Sequence, residues 1–179
     1  MIASANAAVL SFVLLFAATA GAQVHKPYAG EQGRPIKALS ESETRQILEG
    51  AGMGYARTAE LNRFPGPMHV LELADELALT PEQRALTAAL MNAHKAEARA
   101  IGAKRVESER AIERLFQSGV VDEAVLAKSV REAADLEGAY RLAHLETHRR
   151  MRALLSEEQV ERYIRLRGYA PGGEHRQRH

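Results

Sequence analysis

Two histidines one helical turn apart, His144 and His148, stand inside an otherwise apolar stripe in the stretch LEGAYRLAHLETHRRMRALLSEEQ. A helix turns about 100° per residue, so residues four apart share a face. That face collects Leu126, Val130, Ala133, Glu137, Tyr140, His144, His148, Met151 and Leu155, apolar at both ends and polar in the middle. A second stripe runs through Gln83, Leu86, Leu90, His94, Glu97, Ile101, Ser108, Ile112 and Leu115, with His94 near its centre. If the two stretches fold back on each other around Val120, position 94 falls opposite about 146, between the paired histidines. Imidazole and carboxylate together suit Zn, Ni, Co or Cu, and an i, i+4 histidine pair can chelate one ion. The candidate ligands are His94, His144 and His148, with Glu97 or Glu137 completing the shell. Two other readings stay open. Three close imidazoles would repel once protonated near about pH 6.5, which makes a pH-sensitive polar layer; or the rings are solvated or serve packing alone.

Other chemistry has little to stand on. The chain has no cysteine, and it carries no Gly-rich phosphate loop, nucleophile elbow or His-Glu-x-x-His helix. Ser118 and Ser129 have no partner base at a suggestive spacing, so an enzyme is not expected. A net charge of +1, no Trp and 5% aromatics give neither an electrostatic pull toward nucleic acid nor a stacking platform for bases. Arg149, Arg150, Arg152, Arg162, Arg165 and Arg167 form a basic cluster, but Glu157, Glu158 and Glu161 are mixed into it, as on a solvated helix face. His25, His175 and His179 lie in polar flanking segments and read as solvated residues with at most loose metal affinity.

The elements that must position the histidines are helical. Ser40 or Ser42 caps a short helix ending at Gly50, with Glu43 three residues after Ser40 completing a capping-box pattern. Residues 55–62 carry one or two more turns before RFPGP, and Met68–Leu77 is a compact amphipathic helix. Thr80 caps a long helix with Pro81 at its first position and Gln83 reaching back, which runs to Ser118. Gly119 stops it, Asp122 starts a second long helix reaching Leu155, and Ser156 caps a last one ending at Gly168. No stretch reads as a strand. The expected fold is all-α, a long antiparallel helical hairpin with short flanking helices.

The first residues point to export. Ala7–Ala20 is an apolar run of signal-peptide length, too short for the roughly 20 residues of a membrane span, and Ala20 and Ala22 form a cleavage site. MIASAN has no Lys or Arg, so an uncleaved inner-membrane anchor is the alternative. The expected organisation is a signal peptide over 1–22, an extended arm over 23–39, a helical domain over 40–169 and a disordered tail over 170–179. With no cysteine for disulfides, an exported domain must be held by its helices, by association or by a ligand.

Leu79-Thr80-Pro81-Glu82-Gln83 and Leu155-Ser156-Glu157-Glu158-Gln159 are two copies of one helix-start pattern, 76 residues apart. Bracketing an exported helical hairpin, they make the chain resemble the Spy/CpxP family of periplasmic LTxxQ proteins and their heavy-metal-resistance relatives of the CnrX type. The second copy has Ser156 where the pattern has Thr. The resemblance covers about Leu39 to Tyr169. It implies a long bent hairpin that pairs into a homodimer. It also implies one of three activities: a metal-responsive sensor, an ATP-independent chaperone of unfolded clients, or an inhibitory partner of an inner-membrane stress kinase. CnrX-type sensors draw ligands from both arms of the hairpin, with a His-x-x-x-Met pair on the second long helix where this chain has His144 and His148. They place a His-x-x-x-His pair on an earlier helix, and there this chain departs from the pattern, having only the separate His69 and His94. The expected function is a periplasmic protein that binds or senses a divalent transition metal across the hairpin, with the holdase as its rival. Leu79, Thr80, Gln83, Leu155, Ser156 and Gln159 are expected to serve as helix starts that pack at the open end.

Overall fold

The computed structural model describes residues 27–170 and contains six helices. They are α1 (Glu41–Glu49), α2 (Arg57–Leu61), α3 (Pro67–Glu72), α4 (Pro81–Gln117), α5 (Glu123–Ala153) and α6 (Glu157–Leu166). Among the described residues there is no strand, so the chain is all-α, and α4 and α5 form the long antiparallel hairpin. The apolar run near the N-terminus and residues 171–179 of the tail lie outside the described residues. Ala170, placed in the tail by its sequence, packs against the core beside Tyr169. The described part of the arm does not stay extended: Pro27 onward folds as successive turns, and Ile36 drops into the core.

Each boundary has a local cause. The α1 capping box closes through Ser40 and Glu43, and Gly50 ends the helix in the left-handed region at φ 75°. There the Gly50 and Ala51 amides satisfy the Ile47 and Gln46 carbonyls. The sequence predicts one helix over Met68–Leu77, but α3 ends at Glu72. Leu73 leaves helical geometry, and Ala78 takes a left-handed φ of 50°. The turns in between still deliver Leu73, Ala74 and Leu77 to the core. The apolar demand is met without a regular helix.

The core comes in two pieces. One, at the open end of the hairpin, gathers Val70, Leu77, Leu79, Leu90, Met151, Leu155, Val160 and Tyr163. The other lies under α1 and holds Ile36, Ile47, Ala98, Val106 and Tyr140. Burying each such Leu, Ile or Val side chain is worth roughly 1.5–3 kcal/mol. The second piece needs a close approach: a Cβ on Gly102 of α4 would overlap the Ile47 carbonyl of α1. Between the two pieces sits a polar layer of His94, His144 and Thr147, all buried.

The two helix-start motifs meet at the open end. Leu79 and Leu155 enter the first core piece, and Thr80 and Ser156 cap α4 and α6. Gln83 Oε1 accepts from the Thr80 amide at 3.1 Å and from Gln159 Nε2 at 2.9 Å. Its own Nε2 donates to Gln159 Oε1 at 2.9 Å and to the Leu154 carbonyl at 2.9 Å. Gln159 mirrors it, accepting from the Ser156 amide at 2.9 Å and donating to the Leu77 carbonyl at 3.3 Å. Only an amide can do both jobs, because the cap needs an acceptor and the cross-link needs a donor. The motif is thus more than a pair of caps. It bonds one helix start to the other.

Candidate metal-binding cleft

His94 from α4 and His144 from α5 meet edge to face, ring centroids 4.5 Å apart and planes 83° apart. His144 is 4% exposed and His94 9%. The expected register is therefore close to that observed, since His94 Nδ1 lies 3.1 Å from Thr147 Oγ1, between His144 and His148. In each of the three rings Nδ1 is already committed. His144 Nδ1 donates to the Tyr140 carbonyl at 2.8 Å, and His148 Nδ1 to the Phe64 carbonyl at 2.7 Å. Thr147 Oγ1 donates to the Ala143 carbonyl at 2.8 Å, which leaves it to accept from His94 Nδ1. A ring that donates through Nδ1 presents Nε2 as a lone pair when neutral, the arrangement that orients a histidine toward a metal. His144 Nε2 is buried and has no hydrogen-bond partner.

The three rings line a cleft of about 640 Å³ between α4 and α5 on one side and the segment from Glu49 to His69 on the other. Over His144 the cover is a glycine-punctuated loop: a Cβ at Gly52 would stand 3.5 Å from His144 Cδ2 and 3.9 Å from Nε2. Tyr140 pins that loop by donating to the Ala51 carbonyl at 2.7 Å, and burial pushes the pKa of its hydroxyl up to about 12. His148 packs on Gly66, where a Cβ would come within 2.8 Å of Cε1. Burial, aided by the neighbouring His144 and His148, lowers the His94 pKa to about 4, so this ring is neutral near pH 7.

The two carboxylates expected to complete the shell are elsewhere. The buried line of α4 advances in steps of four, through Leu90, His94, Ala98, Gly102 and Val106. Glu97 falls one residue off that line and is exposed. Glu137 faces Tyr55, whose hydroxyl donates to it at 2.7 Å, and Arg105 Nη2 lies 3.6 Å away. Arg105 itself stands over the Tyr55 and Tyr140 rings at 5.8 and 5.7 Å. The carboxylate at the cleft is Glu60 of α2, which sequence reasoning missed. It lies 3.5 Å from His148 Nδ1, accepts from the Gly66 amide at 3.1 Å and takes the Tyr163 hydroxyl. Burial and that bond both raise the Tyr163 pKa. No periodicity ties Glu60 to His148, because they come from separate elements. His69 also reaches the cleft wall, its Nδ1 2.8 Å from Glu72. Among the described residues no three His, Asp or Glu side chains form a ready cage for one ion.

The basic cluster is divided up. Arg149 pairs with Glu146, Arg152 with Glu157, and Arg162 donates to the Glu76 carbonyl. Such exposed pairs contribute little each.

Among models of known families, that of the LTXXQ motif family protein matches residues 67–166, more than half of the chain. The chain belongs to the LTXXQ motif family. No curated protein and no solved structure matches it. The match agrees with the Spy/CpxP-like resemblance. The matched LTXXQ segment spans α3 to α6 and includes both bonded glutamines and all four histidines that line the cleft. The cover, with Gly52, Met53 and Glu60, lies before it. Among the described residues no helix is long and apolar enough to cross a membrane.

Proposed function

We propose that this LTXXQ protein is a periplasmic stress or metal-resistance protein that takes up a transition-metal ion in the histidine cleft. The observation that carries this reading is His144 Nε2, buried and without a partner, with Nδ1 tied to a backbone carbonyl. A buried acceptor left unmatched costs about 1–3 kcal/mol, and an ion offered to it recovers that cost. His94 and His148 present further imidazoles to the same space. An ion gripped by α4 and α5 together would bias the spacing of the hairpin arms, which is how binding becomes a signal or a change in pairing with a second copy. Isothermal titration with Zn and Ni should show a saturable site that disappears in His144→Ala and weakens in His148→Ala. Unchanged binding in both variants would sink the reading. The rival, an ATP-independent holdase, draws on exposed Phe116, Val120 and Leu142. It gains if suppression of client aggregation is the same with and without a chelator and survives His144→Ala.

A further inference from the structure

The cleft holds a second class of donor. Three of the chain's five methionines, Met53, Met68 and Met91, line it together with the histidines. Met91 precedes His94 by three residues on α4, so the thioether and the imidazole share one face. Met53 sits in the covering loop beside Gly52, in a left-handed conformation with φ 44°. A non-glycine residue held there is strained, and the Met53 side chain both lines the cleft and packs against the edge of the second core piece. Nitrogen and oxygen donors, by contrast, do not converge in threes among the described residues. A borderline divalent ion such as Zn takes about four N, O or thiolate ligands. Thioether sulfur is soft and selects Cu(I) instead.

We propose that the cleft is a Cu(I) site, with His144 Nε2 as the nitrogen ligand and the Met91 and Met53 thioethers completing a shell of few ligands. This rests on the reading of the cleft as a metal site and names the ion that its donors favour. Met68, on the rim and half exposed, is a reserve sulfur at the entrance.

The test is an anaerobic titration of the purified full chain with Cu(I) in competition with bicinchoninate, run beside Zn and Ni titrations. Variants are His144→Ala and the double substitution Met53→Leu with Met91→Leu, which nearly preserves side-chain volume. His25, His175 and His179 are present in every variant and cancel. The expected result is one Cu(I) per chain and a loss of more than about tenfold in Cu(I) affinity in the methionine variant, with Zn and Ni affinity unchanged. X-ray absorption at the copper edge should then show sulfur neighbours that the variant lacks. Unaltered Cu(I) affinity in the methionine variant, or a copper shell of nitrogen and oxygen only, overturns the proposal. Binding of Zn or Ni without Cu(I) overturns it and leaves the metal reading standing; no binding of any of the three overturns both.

Discussion

His94 carries a cost that acid reveals. Its folded pKa near 4 lies below the usual value of 6.5, so the unfolded chain binds the extra proton first as pH falls. Stability is therefore complete above about pH 6.5 and declines as pH drops toward 4, by roughly 3 kcal/mol at most. Urea unfolding between pH 4 and 7 should show that slope, and His94→Gln should flatten it. A variant as acid-sensitive as the parent would show that the slope comes from other groups. The three histidines were legible because they share one helical spacing and one register. Glu60 was not, because what brings it to His148 is the packing of α2, and no pattern within α4 or α5 encodes that. Glu97 and Glu137 misled for a related reason. A wide stripe admits residues at its edges, and Glu97 and Glu137 both lie on the exposed edge of theirs.

At the scale of the helix, the two bonded glutamines explain why the motif ends in Gln when Glu caps as well. A carboxylate cannot donate, so Gln83→Glu keeps the cap but loses both donors and sets a negative charge against Gln159 Oε1. The expected destabilisation is about 1–3 kcal/mol, with the Gln159→Glu variant equal within error. Thermal or denaturant unfolding measures it, and a change below about half a kcal/mol would mean the cross-link adds nothing to the caps. Caps and stops were readable in sequence for α1, α4, α5 and α6, since Ser40, Thr80, Asp122 and Ser156 announce themselves. The bond between the motifs was not readable, because capping alone already accounted for every residue in each copy. The early end of α3 was equally hidden: its apolar residues reach the core by turns, and periodicity cannot distinguish a helix from a chain of turns with the same burial.

Across the whole molecule, anchoring is uneven. The open end has the glutamine cross-link, a core piece and α6, whereas the apex has Gly119 in a left-handed turn, Val120 81% exposed and Phe116 60% exposed. Amide hydrogen exchange should follow that gradient, fast at the apex through fraying of the last turns of α4 and first turns of α5, slow near Gln83 and Met151. Uniform protection along both arms would mean that something covers the apex in solution. With the gradient, the hairpin behaves as a beam resting on two supports, the glutamine cross-link at the open end and the α1 core piece beyond the histidine layer: the layer spans the interval between them, and only the overhang past the second support swings freely.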